Sequence, residues 1–528
     1  MPSDCLSYRD SGFFSPLIVD YLNQEDKIRP LYNRFPTLEN FAQQIAEKRE
    51  NFKGDRTILA DVLLRQYESI DAADAVMENI ELLRKETTFT IVTGHQLNLF
   101  TGPLYFLYKI VSTINLCKTL QSAYPENNFV PVYWMATEDH DFDEINHFTY
   151  KGKKVKWEHK SGGAVGRFDT SGLDKVRDQW AGMLGESTNA KQLLDWFDEA
   201  YLKHSNLADA TRYLAHTLFG ETGLIIIDAD DRQLKQQFAP YVKDELTHHT
   251  SAEAIAQTTE ILQSYGLQVN PREINLFYLD EGIRERIIEI DGGFGVNNTS
   301  LRFTTDEILK LVESSPEKFS PNVVMRPLYQ EVILPNLCYI GGGGELAYWL
   351  QLKPLFEKSN MTFPVLLLRN SAMIATRKQS EKADKLGLSW RDLFQSSEKF
   401  KNILTQRLTN LPLDFTPQKQ HLIAQFDALE KMAVKTDRSF ASAVAAQKVK
   451  QLKGLDNLEK KLLRAEKRRH ADILARACSL KEQLFPGGGL QERKANFAEF
   501  YEEYGSAFLQ ILQDELLPLE SDFKILVL

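Results

Sequence analysis

The stretch TIVTGHQLNLFTGPLYFLYKI, residues 90–110, decides the fold of this chain. It begins in a short β-branched run, turns at Gly94 and continues into apolar residues at helical spacing as far as Leu120. A second apolar run, FVPVYWM (residues 129–135), follows that helix. Strand, helix and strand in this order form a βαβ unit, whose strands are parallel. The sequence therefore predicts a parallel α/β sheet.

The strand pattern returns three more times along the chain. GLIIIDADD (223–231), LCYIGGGG (337–344) and FPVLLLRNS (363–371) each end an apolar run in acidic, glycine or other polar residues. Strands of this kind suit a Rossmann-like, doubly wound sheet, in which ligands bind beyond the carboxyl ends of the strands. The long intervals predict insertions at about 150–215 and 240–320, the second of which includes a hairpin-forming pair, INLFYLDEGIRERIIEID.

The character of the chain changes after this sheet. We predict a Rossmann-like core over residues 1–374 and an α-helical coiled coil or long helical hairpin over 375–484, because leucine and alanine recur there in three- and four-residue steps. The stretch LFPGGGLQER then ends the helix. Residues 485–528 are predicted to form a C-terminal helical segment that packs back on the core.

Length and composition limit the classes of function. A chain of 528 residues allows two or three domains, and its net charge of −10 argues against a general nucleic-acid binder. The start of the chain lacks a basic segment followed by an apolar core, and no run of about 18 apolar residues occurs. We therefore expect a cytoplasmic protein with no membrane partner. The four cysteines form no CxxC pair, so neither a disulfide framework nor a thiolate zinc site is expected.

The clearest chemical cluster is TEDHDFDE, residues 137–144, directly after a predicted strand. Glu138, Asp139 and His140 could hold a substrate amine, act as a general base or bind a divalent metal. The alternative is a solvated, acid-rich helix start stabilised by the helix dipole. No second histidine at helical spacing supports zinc, so no metal site is predicted.

Three other segments supply candidate binding groups. Thr101 or Gly102 is predicted to start a helix whose free N–H groups favour an anion, unless Thr-Gly-Pro simply caps a core helix. The glycine loop before Glu345 would let a ligand approach the backbone, unless it is a structural turn. Arg326, predicted in an extended run, and Arg369, at a strand end, could each pair with a carboxylate or a phosphate.

Four motifs in register resemble a known family. TGHQLNLFTGPLY, PVYWMATEDHDFDEINH, SPNVVMRPLYQEVILPNLCYIGGGGELAYWLQLK and LFPGGGLQER are similar to the bacillithiol biosynthesis cysteine-adding enzymes, over residues 88–495. The resemblance implies a cytoplasmic ligase that joins L-cysteine to the amine of glucosaminyl-malate, the last step in making a low-molecular-weight thiol. It also implies a nucleotidyltransferase-like Rossmann core with connecting-peptide insertions, and a C-terminal coiled coil that forms a homodimer.

We therefore expect an amide-forming ligase that activates the cysteine carboxylate, with ATP and Mg²⁺ as possible reactants and no tightly bound cofactor. The expected catalytic residues are His95, Glu138, Asp139 and His140. The expected substrate-binding residues are Gln96, Asn98, Thr101, Gly102, Asn322, Arg326, Gly342, Gly343, Gly344, Glu345, Tyr348, Arg369 and Ser371. Two alternatives remain at this stage: a coiled-coil module that binds RNA or protein through its basic helical tract, and a metal-dependent hydrolase that uses EDHD.

Overall fold

The computed structural model describes residues 1–160, 162–436 and 438–528. The strands are β1 (Asp4–Ser7), β2 (Thr88–His95), β3 (Asn128–Met135), β4 (His147–Tyr150), β5 (Lys153–Lys156), β6 (Ile225–Asp228), β7 (Leu276–Asp280), β8 (Ile283–Ile290), β9 (Gly293–Val296), β10 (Arg302–Phe303), β11 (Phe319–Pro321), β12 (Asn336–Gly341), β13 (Val365–Leu368), β14 (Ala372–Ala375) and β15 (Asp522–Val527).

The helices of the first 370 residues are α1 (Tyr8–Ser11), α2 (Pro16–Leu22), α3 (Leu38–Asn51), α4 (Arg56–Tyr67), α5 (Asp74–Leu82), α6 (Tyr105–Ala123), α7 (Phe142–Ile145), α8 (Leu173–Ala181), α9 (Thr188–Phe197), α10 (Leu207–Phe219), α11 (Arg232–His248), α12 (Thr250–Ala256), α13 (Thr259–Leu262), α14 (Thr305–Ser314), α15 (Met325–Ile333), α16 (Gly343–Trp349) and α17 (Lys353–Lys358). Those that follow are α18 (Arg377–Lys385), α19 (Trp390–Phe394), α20 (Ser397–Leu408), α21 (Thr416–Ala433), α22 (Arg438–Arg469), α23 (Ala471–Leu484), α24 (Ala498–Tyr504) and α25 (Ser506–Glu515).

The central sheet confirms the predicted Rossmann-like fold. Its strands lie in the order β13-β12-β2-β3-β6 and every neighbouring pair is parallel. All eight residues of β2 are buried, as expected of a strand covered on both faces. The chain moves from β2 outward through β3 to β6, and then returns to the other side of β2 through β12. The switch point therefore lies between β2 and β12, and the carboxyl ends of these two strands define the ligand edge.

Helices cover both faces of this sheet. Along β3, Val132 and Trp134 face one hydrophobic cluster while Tyr133 and Met135 face another, as the two-residue period of a strand requires. The first cluster takes in α4, α5, α11 and α15, and the second takes in α6 and α10. The doubly wound arrangement follows directly from this alternation.

Smaller elements fill the two long intervals. Residues 150–215 contain β5, the end of the β4–β5 hairpin, α8 and α9. Residues 240–320 contain an antiparallel sheet in the order β10-β9-β8-β7-β11, including the predicted β7–β8 hairpin. The domain limits themselves stay predictions.

The region after the sheet is largely helical, as predicted. Helices α21 and α22 form an antiparallel hairpin, because Lys419 pairs with Asp456 and Lys448 pairs with Asp427, both at 2.6 Å. The last 44 predicted positions, 485–528, are not helical throughout. Besides α24 and α25 they contain β15, which pairs with β14 on one side and with the N-terminal β1 on the other. In the part of the chain that the structure describes, no helix has the length and apolar character needed to cross a bilayer.

Candidate active site

A cavity of about 670 Å³ lies beyond the carboxyl ends of β2, β3 and β12, at the switch point of the sheet. It is lined by Gly94, His95, Gln96, Tyr105, Lys109, Trp134, Met135, Ala136, Thr137, Glu138, Asp139, His140, Phe277, Arg284, Pro321, Asn322, Val323, Arg326, Tyr339, Gly342, Gly344, Glu345, Tyr348, Arg369 and Arg493. Most of the predicted site residues are therefore brought to one place. Asn98, Thr101, Gly102, Gly343 and Ser371 are not among the lining residues.

The loop after β2 corrects one prediction. Thr101 and Gly102 do not start a helix: Phe100, Thr101 and Gly102 all have positive φ, at 46°, 65° and 62°. The chain makes only a short 3-10 turn there, and α6 begins at Tyr105. Thr101 and Gly102 therefore offer no helix start to an anion, and their role in substrate binding stays a prediction.

Gly94 is still part of β2 and does not turn the chain as predicted, but it allows a close approach of other side chains. A Cβ at this position would lie 3.2 Å from the Tyr339 hydroxyl and 3.8 Å from Nη1 of Arg326. A side chain at residue 94 would therefore occupy the floor of the cavity and displace its polar groups.

His95 follows Gly94 and is buried against the rings of Tyr105 and Phe106, at centroid distances of 5.4 and 5.0 Å. Burial, with help from the positive charges of Lys109 and Arg369, lowers the pKa of His95 well below its usual value. The imidazole is therefore neutral at physiological pH. Its Nε2 has no hydrogen-bond partner among the described residues, so it is free to meet a ligand.

The glycine loop is closed by its own glutamate. Glu345 accepts hydrogen bonds from the Gly342 N–H at 2.8 Å, from the Tyr339 hydroxyl at 2.8 Å and from Lys109 at 2.7 Å. Burial would raise the pKa of Glu345, but Lys109 and these hydrogen bonds hold it below its ordinary value. The carboxylate therefore already occupies the N–H group that an incoming anion would need. Gly342 and Gly344 shape the wall of the cavity instead.

Lys109 is the cation beneath this loop. It lies on α6, is 2% exposed, and also donates to the carbonyl of Gly94 at 2.6 Å. The ammonium thus ties the end of β2 to the glycine loop after β12. The ion pair between Lys109 and Glu345 therefore connects the carboxyl ends of β2 and β12, the strands on either side of the switch point.

Glu138 belongs to a second buried ion cluster. Its carboxylate lies 2.5 Å from Nζ of Lys235, which also pairs with Asp230 at 2.8 Å. Asp230 is held in turn by Arg167 at 2.7 Å. Burial raises the pKa of Glu138, and Lys235 opposes this rise only in part. The carboxylate of Glu138 is paired with Lys235. Glu138 is therefore better suited to forming part of the cavity wall than to accepting a proton from a substrate.

Asp139 is the accessible carboxylate of the same wall. Gln96 donates from Nε2 to Asp139 at 2.8 Å, and the backbone N–H of His140 donates to the other oxygen at 2.7 Å. Gln96 also donates to Glu144 at 2.8 Å, so two carboxylates fix its amide. Asp139 is therefore oriented from its back and remains open toward the cavity.

His140 faces a guanidinium that the sequence did not single out. Arg284, on β8, donates to Nδ1 of His140 at 2.6 Å and lies 4.2 Å from the centre of the Phe277 ring. Because a guanidinium can only donate, Nδ1 of His140 is the acceptor of this hydrogen bond. Burial lowers the pKa of Arg284 without removing its charge.

Arg326 lies in helix α15 and not in an extended run, which corrects the prediction. Asn322 caps this helix by accepting from the backbone N–H groups of Val324 and Met325. Arg326 donates to Gln330 at 3.1 Å and lies over the ring of Trp134, and it has no carboxylate within ion-pair distance among the described residues. A charged group without a counter-ion at a cavity wall is suited to an anionic ligand.

Arg369 and Ser371 are already engaged. Arg369 pairs with the fully buried Glu492 at 2.6 Å, and Ser371 donates to the same carboxylate at 3.2 Å. Arg369 still reaches the cavity because its guanidinium lies over the ring of Tyr105 at 5.0 Å. Ser371 faces the interior behind it, where it serves the ion pair.

Sequence reasoning missed Tyr105, Lys109, Lys235, Arg284 and Arg493. Tyr105 and Lys109 lie in the opening stretch and Arg493 lies in the motif LFPGGGLQER, but no residue pattern there indicates that these side chains meet at one cavity. Arg284 lies in the predicted hairpin and Lys235 just beyond the strand GLIIIDADD, again with no pattern that marks them. Across the part of the chain that is described, no group of three or more His, Cys, Asp or Glu side chains is placed to hold a metal ion. In the basic tract, Lys461, Arg464 and Arg468 line a separate depression of about 610 Å³ on α22.

Comparison with known proteins gives a consistent result. The family model "Bacillithiol biosynthesis BshC, N-terminal Rossmann-like domain" matches residues 1–370, and "Bacillithiol biosynthesis BshC, C-terminal coiled-coil domain" matches residues 372–528. Three relatives bear the name "Putative cysteine ligase BshC". The one from Flavobacterium johnsoniae is 57% identical over 100% of both chains. Those from Flavobacterium psychrophilum and Christiangramia forsetii are 54% and 52% identical, over 100% of this chain and 99% of theirs.

The two family models leave only residue 371 unmatched, and the relatives align over the full length. The four motifs that carried the resemblance also lie within the matched ranges. The chain therefore belongs to the bacillithiol biosynthesis BshC family.

Proposed function

We propose that this protein is a cysteine ligase that forms an amide between the carboxylate of L-cysteine and the amine of glucosaminyl-malate. The proposal is supported by membership of the family, by the name that its relatives bear and by the position of the cavity at the switch point. Family membership also removes the reason for preferring a nucleic-acid or protein-binding module.

The charge balance of the cavity is the observation that carries the proposal. Its carboxylates Glu138 and Glu345 are each neutralised by a buried lysine. Arg284, Arg326 and Arg493 have no carboxylate within ion-pair distance among the described residues, whereas Asp139 has no such lysine. The cavity therefore offers three guanidinium groups without a paired carboxylate and one carboxylate without a paired lysine. Glucosaminyl-malate presents the complement, since it carries two carboxylates and one amine.

Asp139 is the residue best suited to the proton chemistry. The ammonium form of the amine must lose one proton before it can attack, and a nearby carboxylate can bind the ammonium and accept that proton. The second proton, lost as the carbon–nitrogen bond forms, would leave with the leaving group or pass to solvent. Gln96 and the His140 N–H hold Asp139 in one orientation for this step. Nδ1 of His140 is occupied by Arg284, so Nε2 is the ring nitrogen that is left to meet a substrate.

The guanidinium groups would bind the carboxylates of the reactants. The Arg326 guanidinium lies near Gly94, at the carboxyl end of β2, and near the hydroxyl of Tyr348. An anion bound there would share the cavity with Asp139. Such a position would orient the malate or the cysteine carboxylate relative to Asp139. Bidentate pairing by arginine gives directional as well as electrostatic selectivity.

ATP is proposed as the co-substrate that activates the cysteine carboxylate, most simply as an acyl-adenylate. The guanidinium groups of the cavity that have no paired carboxylate fit a phosphate group in charge. Mg²⁺ would enter with the nucleotide, because Mg²⁺ commonly binds through substrate phosphates and water with few protein ligands.

The direct test is mass spectrometry of thiols after the pure protein is incubated with cysteine and glucosaminyl-malate, with and without ATP and Mg²⁺. Product that requires ATP would support the whole proposal. Product without ATP would retain the ligation and refute the activation step. Absence of product together with absence of calorimetric binding of either substrate would refute the ligase.

We also infer that the protein acts in the cytoplasm as a homodimer through its α21–α22 hairpin. The support is a set of apolar side chains on this hairpin that remain exposed, including Met432 at 56%, Val434 at 78% and Val449 at 65%. Sedimentation equilibrium should give twice the 60.5 kDa of one chain. The variant Val449→Glu should shift the mass toward the monomer, and a monomeric wild type would refute the inference.

A further inference from the structure

A short segment of the C-terminal part of the chain reaches the cavity. Residues 491–496 run past the carboxyl ends of the central strands, and Arg493 is the member of this segment that lines the cavity. Its side chain is exposed and makes no hydrogen bond or ion pair with the residues that the structure describes. A long, charged side chain that is directed to a cavity and left without a partner is available to a ligand.

The residues before Arg493 are anchored on one side of the cavity. Glu492 is fully buried and accepts hydrogen bonds from Arg369 at 2.6 Å, from Ser371 at 3.2 Å and from the Ala372 N–H at 3.0 Å. Gln491 exchanges two hydrogen bonds with the backbone of Ile374, at 2.9 and 3.0 Å. The backbone at residue 492 is therefore fixed to the loop that follows β13.

The residues after Arg493 are anchored on the other side. Asn496, also fully buried, donates to the carbonyls of Phe100 and Gly102 at 2.8 and 2.6 Å. Ala495 accepts from the N–H of Leu104 at 2.8 Å. These carbonyls belong to the left-handed turn between β2 and α6, so the segment bridges the loops after β2 and β13. Arg493 is held between two buried anchors in a backbone of defined geometry.

Arg493 also has a cationic neighbour with which it can share one ligand. Arg369 lies over the ring of Tyr105 at 5.0 Å, and the charge of Arg493 is close enough to Tyr105 to oppose the rise that burial produces in the pKa of this tyrosine. Arg369 is neutralised by Glu492, whereas Arg493 retains its full charge. Both arginines therefore lie on the Tyr105 side of the cavity.

We propose that Arg493 is a substrate-binding residue of the ligase, supplied to the Rossmann cavity by the C-terminal region, and that it binds an anionic oxygen group, carboxylate or phosphate, beside Tyr105. This inference rests on the proposed function and deepens it. It follows that the part of the chain matched by the Rossmann-like model does not contain the complete binding site.

The test compares Arg493→Gln with Lys494→Gln. Lys494 is the next residue, is exposed, carries the same charge and does not line the cavity, so it controls for net charge and for the fold of the segment. Calorimetry would measure the binding of glucosaminyl-malate, cysteine and ATP with Mg²⁺ to each protein, and steady-state kinetics would give a KM for each substrate. Loss of a charge-assisted bidentate contact should weaken one of these ligands about ten- to hundredfold in Arg493→Gln. Arg493→Lys should recover part of the affinity, because it keeps the charge and loses the fork.

The ligand whose affinity falls identifies the anion: glucosaminyl-malate or cysteine would indicate a carboxylate, and ATP would indicate a phosphate. Equal binding of all three ligands by wild type and Arg493→Gln would overturn the inference, as would an equal loss in Lys494→Gln. Wild-type protein that binds none of the three would also overturn it. Binding that depends on Arg493 without any ligation product would retain this inference and refute the proposed function. Ligation that is unaffected in Arg493→Gln would retain the proposed function and refute the role of Arg493.

Discussion

Replacement of Lys235 by methionine should destabilise the protein, because Lys235 is the cation of the buried ion cluster that contains Glu138. Lys235 is 2% exposed and lies 2.5 Å from Glu138 and 2.8 Å from Asp230. Burial alone would lower the pKa of Lys235, but the two carboxylates hold it above its usual value, so the charged form is the stable one. Methionine keeps the length of the apolar stem and removes the charge.

The loss of stability in Lys235→Met depends on which ion-pair partners Asp230 and Glu138 retain. Breaking a buried ion pair costs about 3–5 kcal/mol when the remaining charge has no other partner. Asp230 would retain Arg167 at 2.7 Å, while Glu138 would lose its ion pair. We therefore expect Lys235→Met to lower the free energy of unfolding by about 3 kcal/mol at pH 7, at the lower end of that range.

The pH dependence gives a second, independent signature. Burial already raises the pKa of Glu138 above 4.5, and loss of Lys235 would raise it further. A carboxyl group whose pKa is raised in the folded state destabilises that state when it is ionised. Its unfavourable contribution to the free energy of unfolding therefore grows as pH rises and disappears as pH falls. The stability difference between Lys235→Met and wild type should therefore narrow between pH 7 and the ordinary pKa of a glutamate.

Urea unfolding followed by tryptophan fluorescence would measure both effects. The matched control is Lys203→Met, which removes a lysine that is 63% exposed and paired with Glu199 one helical turn away. Exposed pairs of this kind contribute about 0.5 kcal/mol or less. A loss in Lys235→Met no larger than in this control, or a difference that does not change with pH, would refute the argument for a stabilising buried cluster.

Three further outcomes test the site itself. Asp139→Asn should lower kcat about 10²- to 10⁴-fold, as expected for loss of a general base, while Asp143→Asn, outside the cavity, should leave it unchanged. Arg326→Gln should raise the KM of one carboxylate substrate about tenfold or more, with Arg302→Gln on the exposed edge strand as the control. His95 has a pKa lowered by burial, so the stability it contributes is present above pH 6.5 and lost as pH falls. Below pH 6.5 the free energy of unfolding of His95→Gln should therefore fall less steeply than that of wild type. The difference between the two slopes should approach about 1.4 kcal/mol per pH unit in urea unfolding. Parallel pH profiles of the two proteins would contradict this.

The central sheet could be predicted because its information is local. Each parallel strand is a continuous apolar run that ends in polar residues, and the parallel arrangement alone brings those ends to one edge. The polar residues after β3, β12 and β13, which include Asp139, Glu345 and Arg369, were therefore expected at one edge of the sheet. The helix that carries Arg326 was missed because Pro327 follows this residue, and the position before a proline usually favours extended backbone. In the structure Pro327 lies in the first turn of the helix, where its missing N–H is tolerated.

Other parts of the site depend on contacts between distant residues. Thr-Gly-Pro has the composition of a helix start, but Thr101 has a positive φ in a turn whose carbonyls are held by Asn496, 394 residues further along from Gly102. Lys109 lies on a buried part of α6 beside Ser112 and Thr113, and the location of Glu345 explains its charge there. The small β1-β15-β14 sheet pairs the two ends of the chain, and no short-range pattern reports such a pairing.

These long-range contacts explain why the cavity needs both matched regions. Arg369 is 3% exposed, and its counter-ion Glu492 comes from the region that the coiled-coil model matches. Without Glu492 the Arg369 guanidinium would be a buried charge with no partner, and without Asn496 the carbonyls of the left-handed turn would lose their donors. The loops after β2 and β13 would then lack the contacts that fix them on either side of the switch point. The helical region is thus part of the construction of the ligand edge, because the same six-residue segment that stabilises these two loops also delivers Arg493 to the cavity.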